Sequence, residues 1–277
     1  PPRSTLSSSS AASDVYKRQV MDRIIVKPSG PLHGDVEING AKNSALKVMA
    51  ACSLAEGTFF LTNIPDITDV RLMSELLVSL GMTVRSVDTN SLEITNPGNL
   101  TAEAPYELVE KMRASIVVLG PLLARYGKAR VALPGGDDFG PRPIDMHLRG
   151  LEMLGAKFAS EHGYIDGHCE RLRGSRIVLE FPSVGATENI MMAAVLADGT
   201  TIIENAAREP EIADLASFLN RMGSSVLGAG TSTIVIEGVE KLGAVEHAVV
   251  PDRIEAATYL AAVGIAGGEI NLVGARP

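Results

Sequence analysis

A glycine that separates an apolar helical run from a β-rich segment recurs along this chain at intervals of about 70 residues. The recurrence marks the segments LAEGTFFLTN, LARYGKARVAL, LADGTTIIEN and GIAGGEINLVG, at Gly57, Gly127, Gly199 and Gly268. Glycine is the usual residue just beyond a helix end, because it adopts a left-handed backbone without a steric penalty. We therefore predict that a helix ends near each of these glycines and that a strand follows it.

A second glycine closes an amphipathic helix in each of the first three repeats, within SLGMTV, MLGAKF and RMGSSV, at Gly81, Gly155 and Gly223. Alternating segments such as SLEITN, RIVLEF and TIVIEG predict further strands. Each unit is thus predicted to run helix, strand, helix, strand, strand, and the units must pack together to cover their apolar faces. A fourth copy begins at Gly268 and stops at Pro277, so we expect the chain to be truncated.

The composition is typical of a soluble enzyme. The chain has 277 residues, of which 45% are hydrophobic and 21% charged, enough for a sizeable core. A net charge of -8 disfavours a general nucleic-acid-binding protein, which needs a basic surface. No apolar stretch reaches the roughly 20 residues of a membrane helix. Two cysteines, Cys52 and Cys169, provide no disulfide framework and indicate a reducing cytoplasm, with Cys52 expected in the core.

The ends of the chain and its histidines predict no further site. Residues 1–20 are serine-rich and lack the apolar run of a secretory signal, so we interpret them as a non-native or disordered leader before Met21. The five histidines are scattered without metal-ligand spacing, and we predict no metal site.

The segment PGGDDFGPRPID, from Pro134 to Asp145, is the strongest functional signal. Its paired glycines permit a mobile loop, Asp137 can carry a proton, and Arg142 offers a permanently charged fork for an anion. A catalytic loop needs this combination. A connecting loop whose charges are merely solvated is the alternative interpretation.

Four other segments, taken with this loop, indicate a family. GAKNSAL places Lys42 and Asn43 just before an apolar run, where the N–H groups of a helix start and a lysine can hold phosphate, and KMRAS places Arg113 in a predicted helix. With SVGATENIMMAA and ENAAREPEI, these segments closely resemble the UDP-N-acetylglucosamine 1-carboxyvinyltransferase family of enolpyruvyl transferases. The resemblance runs from Met21 to Pro277.

The resemblance implies an α/β fold, an inside-out α/β barrel built from repeated βαβαββ units in two domains. Residues 21–41 and 251–277 would be fragments of the first domain, and residues 42–250 a nearly complete second domain with three repeats and the catalytic loop. The base of the family lies in the part that would follow Pro277. We therefore expect the chain by itself to be inactive.

The resemblance also implies a reaction. The enolpyruvyl group of phosphoenolpyruvate would be transferred to the 3-hydroxyl of UDP-N-acetylglucosamine with release of phosphate, in the cytoplasm and without a cofactor. This is the first committed step of peptidoglycan synthesis, on which cell wall formation, cell shape and division depend. The expected partners are these two small molecules, with neither nucleic acid nor membrane.

Site residues follow from matching positions in the family. Those that hold phosphoenolpyruvate match Lys42, Asn43 and Arg142. Those that line the UDP-N-acetylglucosamine pocket match Arg113, Arg142, Pro143, Ile144, Asp145, Met146, Ser183, Val184 and Gly185. The ordinary alternatives are an exposed lysine, a surface ion pair for Arg113 and a simple helix cap for Ser183. Phe181 stands where some members carry a lysine, so one phosphate contact of the family is missing.

Asp137 departs from the commoner pattern, in which a cysteine at this position is the general acid. A natural minority of the family carries aspartate, and this chain matches the minority. An unperturbed aspartate has a pKa of about 3.9 and has lost its proton near neutral pH, so Asp137 needs a raised pKa to donate. Fosfomycin alkylates the loop cysteine of other members, and the resemblance therefore implies fosfomycin resistance.

Two alternatives remain open. The sister enolpyruvyl transferase acts on shikimate 3-phosphate, but GAKNSAL and PGGDDFGPRP do not match that enzyme. A non-catalytic nucleotide-sugar-binding protein is the other alternative. The presence of Lys42, Asp137 and Arg142 together argues against it, since a pure binder has no use for a mobile acid.

Overall fold

The computed structural model describes residues 25, 27, 30–109, 112–132, 144–161 and 163–276. The predicted leader, residues 1–20, lies outside them. The strands are β1 (Leu32–Glu37), β2 (Gly57–Thr62), β3 (Thr83–Asp88), β4 (Ser91–Asn96), β5 (Glu103–Ala104), β6 (Lys128–Ala132), β7 (Lys157–Glu161), β8 (Tyr164–His168), β9 (Arg176–Val178), β10 (Thr200–Glu204), β11 (Ser225–Leu227), β12 (Thr233–Glu237), β13 (Glu246–Ala248) and β14 (Gly268–Val273).

Helices alternate with these strands. The α-helices are α1 (Lys42–Ala51), α2 (Thr68–Ser79), α3 (Tyr106–Val109), α4 (Leu119–Tyr126), α5 (Asp145–Met153), α6 (Val184–Ala194), α7 (Pro210–Arg221) and α8 (Arg253–Ala266). Two 3-10 helices, Cys52–Leu54 and Arg113–Val118, follow α1 and precede α4. Among the described residues, no helix has the length and apolar character needed to cross a membrane.

The predicted repeat is confirmed by the order of the elements. Unit one contains α1, β2, α2, β3 and β4; unit two contains α4, β6, α5, β7 and β8; unit three contains α6, β10, α7, β11 and β12. In each unit the first and third strands pair antiparallel, and the second strand lies beyond the third. The three units therefore share one topology.

The fourth strand of each sheet comes from the neighbouring unit. β5 follows unit one and pairs parallel with β6 of unit two, and β9 follows unit two and pairs parallel with β10 of unit three. β13 follows unit three and returns to pair parallel with β2 of unit one. Because every unit is connected to the next in this way, the three units form a closed ring.

Helices occupy the inside of this ring. α1 is buried from Ser44 to Ala51 and α6 from Ala186 to Ala194, as expected for helices that are apolar on nearly every face. The strands instead alternate buried and exposed residues, as in β12, so each sheet covers the helices with one face and meets solvent with the other. Cys52 lies in this core, as predicted, and burial raises the pKa of its thiol.

The predicted helix ends are only partly correct. At Gly127 the helix ends as expected, in a left-handed C-cap with φ 67°. α1 and α6, however, end at Ala51 and Ala194, well before Gly57 and Gly199, because a 3-10 turn or a bend intervenes. Each glycine of the second set directly follows the C-cap residue of a helix and itself has φ between 102° and 108°; these are Gly81, Gly155 and Gly223.

The remaining elements form a βαβ piece. β1 and β14 pair parallel as a two-stranded sheet. α8 comes directly before β14 in the chain, and the whole ring lies between β1 and α8. Two antiparallel connections join this piece to the ring: Ala41 N donates to Val250 O at 2.7 Å, and Asp252 N donates to Asn39 O at 2.8 Å. The chain thus passes between this piece and the ring twice, at residues 39–42 (the first crossing) and 250–252 (the second crossing), and the two crossings run side by side.

Candidate active site

The start of α1 carries the first two predicted site residues. Lys42 and Asn43 lie in the first helical turn rather than in the preceding loop, and Ala41 provides no side-chain cap. Apart from Lys42 N, which donates to Asp252 Oδ2, the N–H groups of this turn are therefore available to an anion. Lys42 Nζ lies 3.0 Å from Asp69 Oδ2, and the Lys42 side chain is 46% exposed. This exposed ion pair can open when a phosphate competes for the lysine.

Asp252 ties the start of α1 to the second crossing. Its Oδ1 accepts hydrogen bonds from the N–H groups of Ile254 and Glu255, which caps α8. Its Oδ2 accepts from Lys42 N at 3.2 Å. Glu255 reaches back to the first crossing, where its carboxylate accepts from Asn39 N and Nδ2. One carboxylate thus satisfies the starts of two helices.

The start of α6 contains Ser183, Val184 and Gly185. Ser183 is the N-cap, and its Oγ accepts from Ala186 N at 3.4 Å. The three residues are half-buried, so they are within reach of a ligand. The simple cap predicted as the alternative for Ser183 is present, and it leaves the other N–H groups of the first turn for an anion.

The start of α5 lies beside the start of α6. Ile144 and Asp145 are half-buried and Met146 is buried. His147, in the first turn of α5, lies against the start of α6. The two are so close that a Cβ placed on Gly185 would lie 3.1 Å from the His147 ring. The structure therefore brings together two of the predicted sugar-nucleotide segments, residues 144–146 and 183–185.

A buried ion pair connects α1 with α6. Lys47 Nζ lies 3.4 Å from Glu188 Oε2, and the two side chains are 10% and 0% exposed. At this distance the contact is an ion pair at the long end of the range, and the described residues supply no hydrogen bond to either carboxylate oxygen. Burial raises the pKa of Glu188 to about 7; Lys47 opposes the rise, and Glu211 and Glu209 add to it.

Asn189 connects α6 with unit two. Its Oδ1 accepts from Gly120 N at 2.8 Å, and its Nδ2 donates to Ile116 O at 3.1 Å. Nδ2 also lies 3.0 Å from His147 Nδ1. Because an amide nitrogen can only donate, His147 accepts through Nδ1. Glu188 and Asn189, adjacent on α6, thus contact units one and two respectively.

Several predicted site residues cannot be placed. Asp137, Arg142 and Pro143 lie outside the described residues. Arg113 begins the 3-10 helix Arg113–Val118, which agrees with its predicted helical position, but its side chain is not described. Within the described part of the chain, His, Cys, Asp and Glu form no group of three that could hold a metal ion.

Three contacts around the site were not predicted from the sequence. They are the pairing of Asp69 with Lys42, the packing of His147 against Gly185, and the buried Lys47–Glu188 pair. A signal for the third was present, since Lys47 and Glu188 are charged residues inside otherwise apolar helical runs. The other two depend on the approach of separate helices and left no local pattern.

Comparison with known families decides the affiliation of this ring. A family model described as EPSP synthase (3-phosphoshikimate 1-carboxyvinyltransferase) matches residues 26–277. The chain belongs to the EPSP synthase family. Two solved structures resemble it in fold. The enolpyruvyl transferase NikO from Streptomyces tendae has a TM-score of 0.73 and 24% identity, covering 84% of this chain and 55% of that one. An EPSP synthase from Acinetobacter baumannii has a TM-score of 0.69 and 20% identity, covering 90% of this chain and 57% of that one.

Within the EPSP synthase family, relatives with much higher identity carry another name. A protein from Solidesulfovibrio magneticus named UDP-N-acetylglucosamine 1-carboxyvinyltransferase is 51% identical over 91% of this chain. One of the same name from Gluconobacter oxydans is 54% identical over 92% of this chain. The chain spans 60% and 61% of the length of these curated relatives. The predicted family and the inside-out α/β fold are therefore confirmed.

Proposed function

We propose that the protein transfers the enolpyruvyl group of phosphoenolpyruvate to the 3-hydroxyl of UDP-N-acetylglucosamine and releases phosphate. The observation that carries the proposal is the identity of 51% and 54% to proteins named for this activity, over more than nine-tenths of this chain. The starts of α1 and α6 support it, because each has N–H groups left for an anion and both substrates are anions.

The proposed phosphoenolpyruvate site is the start of α1. Lys42, after release from Asp69, and Arg142 hold the phosphate and carboxylate, and Asn43 contacts the reacting centre. The proposed UDP-N-acetylglucosamine site combines Arg113, Arg142, Pro143, Ile144, Asp145, Met146, Ser183, Val184 and Gly185. The proximity of α5 to α6 through His147 supports a single pocket for the segments 144–146 and 183–185.

The proposed chemistry has two steps. A general base removes the proton of the sugar 3-hydroxyl as its oxygen forms a bond to C2 of phosphoenolpyruvate, while Asp137 gives its proton to C3, which produces a tetrahedral phospho-ketal. A base then removes a proton from C3 as the bond from C2 to the phosphate oxygen breaks, which releases phosphate and the enol ether. Cationic side chains stabilise the charge that moves onto the phosphate. No cofactor takes part in the proposal.

The proposal extends to organisation and cellular role. Residues 21–41 and 251–277 belong to one domain and residues 42–250 to the other, a division supported by the paired crossings at residues 39–42 and 250–252. The activity would be the first committed step of peptidoglycan synthesis, in the cytoplasm. It therefore serves cell wall formation, cell shape and division.

Shikimate 3-phosphate is the second candidate acceptor, because the matching family model carries the name of that enzyme. Identity favours the sugar nucleotide: the EPSP synthase from Acinetobacter baumannii is 20% identical to this chain, against 51% for the relative from Solidesulfovibrio magneticus. The two acceptors are also chemically distinct, since only one carries a nucleotide.

Phosphate release by the complete protein containing this chain tests the proposal. We expect release with phosphoenolpyruvate plus UDP-N-acetylglucosamine and none with shikimate 3-phosphate. Lys42→Met should lower kcat/KM about 100-fold, and the exposed control Lys241→Met should not. Release with shikimate 3-phosphate alone would establish the second candidate. Binding of UDP-N-acetylglucosamine without any release would identify a non-catalytic binding protein.

A further inference from the structure

Glu188 and Lys47 form an ion pair between two separate helices, and each lies at a similar distance from the start of its helix. Each lies in the second turn of its helix, Lys47 in α1 and Glu188 in α6. Their contact therefore holds the two helix starts at a set offset from each other. Both side chains are almost completely buried, so solvent does not screen the attraction between them.

The surroundings of the pair are charged and balanced. Glu209 and Glu211, at the start of α7, act on Glu188 electrostatically. Glu211 is itself buried and accepts from Arg253 Nε at 3.1 Å. Lys47 and Arg253 thus each balance one buried carboxylate. The Lys47–Glu188 contact is the link in this group that joins α1 to α6.

α1 has further attachments that do not involve α6. Its first N–H donates to Asp252, and Ser44 Oγ donates to Asp214 Oδ2 on α7. The hydrogen bonds of Asn189 attach α6 to unit two. The ion pair of Glu188 with Lys47 is the polar contact described above between α6 and α1. Loss of the ion pair should therefore displace the start of α6 and leave the start of α1 in place.

We propose that Glu188 is a positioning residue that, through Lys47, sets the start of α6 relative to the start of α1. The inference rests on the proposed function, in which α6 holds the sugar nucleotide and α1 holds phosphoenolpyruvate. Because its side chain is 0% exposed, Glu188 is proposed to act without touching either substrate. Its effect reaches the reaction through the placement of Ser183, Val184 and Gly185.

Steady-state kinetics of the complete protein at pH 8 test this role. Glu188→Gln, Lys47→Met and the double variant Lys47→Met/Glu188→Leu should each raise KM for UDP-N-acetylglucosamine about ten-fold, because a small displacement of a binding group weakens binding. KM for phosphoenolpyruvate and kcat should stay within about two-fold of wild type. The exposed helix residue Glu152 provides the matched control, and Glu152→Gln should change none of these three constants.

Unfolding midpoints separate positioning from stability. Lys47→Met leaves a buried carboxylate without its partner and should lower the midpoint. The double variant replaces the pair with apolar side chains, which buried sites tolerate, and should recover the midpoint while its KM stays raised. At pH 5, where the wild-type carboxyl is protonated, Glu188→Gln should keep the wild-type midpoint, because burial favours the neutral form of this side chain.

The pH profile provides a further readout. Glu188 has a pKa of about 7, so wild-type KM for UDP-N-acetylglucosamine should rise from pH 8 to pH 6 toward the value of Glu188→Gln, whose own KM stays flat. Unchanged KM in both single variants, or wild-type KM in the double variant, would overturn the positioning role. A wild-type protein that neither binds nor turns over UDP-N-acetylglucosamine would instead refute the proposed function, and this inference with it.

Discussion

Two acidic side chains distinguish this protein at the scale of the residue. Asp137 is predicted to stand at the loop position where the commoner family pattern has cysteine, and Glu188 lies buried beside a lysine in the centre of the ring. Asp137 needs an environment that favours the protonated carboxyl at higher pH than usual if it is to donate a proton, and Glu188 lies in such an environment. For Glu188 the structure provides that environment through burial. For Asp137 it stays a prediction.

Asp137→Cys should keep activity and create sensitivity to fosfomycin. A thiolate is a good nucleophile for alkylation and a carboxylate is a poor one, whereas either residue can carry the proton. Asp137→Asn cannot donate a proton and should lose about 10²–10⁴ in rate. Time-dependent inactivation of the complete protein and of Asp137→Cys, measured side by side, checks this. Equal inactivation of both, or full activity of Asp137→Asn, would remove Asp137 from its proposed role.

Glu188 should make stability depend on pH. Its pKa is raised from 4.5 to about 7 in the folded protein, so the folded state binds the extra proton between those values. The stabilisation is complete below pH 4.5 and is lost as the pH rises to about 7. At about 1.4 kcal/mol for each pKa unit, the change is about 3 kcal/mol. Urea unfolding of wild type and Glu188→Gln at pH 5 and 7.5 measures it. Parallel profiles of the two proteins would contradict the assignment.

At the scale of the element, burial separates two kinds of helix. α1 and α6 are apolar on nearly all faces and lie inside the ring, whereas α2 and α7 also present exposed residues and lie nearer the solvent. The backbone N–H groups at the starts of the two inner helices find their hydrogen-bond acceptors in different ways. Ser183 caps α6 from within its own chain segment, but α1 depends on the distant Asp252.

Asp252→Ala should destabilise the protein by about 1–2 kcal/mol, because the carboxylate caps α8 and also accepts from the first N–H of α1. Asp252→Asn should lose less, since an asparagine side chain can still accept hydrogen bonds at an N-cap. Urea unfolding of the three proteins gives the comparison. A loss as large in the asparagine variant as in the alanine variant would show that charge, and not capping, explains the effect.

At the scale of the whole molecule, the three units form a closed ring and not an open array. β13, which follows the third unit, pairs with β2 of the first. His247 on β13 anchors this closure: its Nε2 lies 2.9 Å from Asp214 Oδ1, and its ring packs against Phe218 at 5.3 Å. Because each of the three four-stranded sheets contains a strand that follows a different unit, we expect the ring to unfold cooperatively.

His247→Ala should lower the stability of the whole ring by about 2–3 kcal/mol, since it removes a buried hydrogen bond and ring packing together. Hydrogen exchange should then show weaker protection in β6 and β10 as well as in β2. His33→Ala, an exposed histidine on β1, is the control. Loss of protection confined to β2 and β13 would show that the units behave as an open array of repeats.

The sequence by itself determined the local repeat and the family. The period of about 70 residues, the alternating strands and the glycines after the C-caps of α2, α5 and α7 depend on neighbours in the chain, so they can be seen without a structure. Five segments taken together, around Lys42, Arg113, Asp137, Ser183 and Glu204, carried the family resemblance. The roles of these residues stay predictions.

Only the tertiary structure decided which distant parts meet. The return of β13 to β2, the pairing of Lys47 with Glu188 and the use of Asp252 by two helices each join residues far apart in the chain. Strand pairing and charge pairing of this kind depend on topology, and the local pattern of each partner is compatible with many others. For the same reason Glu188 was identifiable as a charge in an apolar helix, but its partner and its raised pKa became clear only when α1 and α6 were side by side.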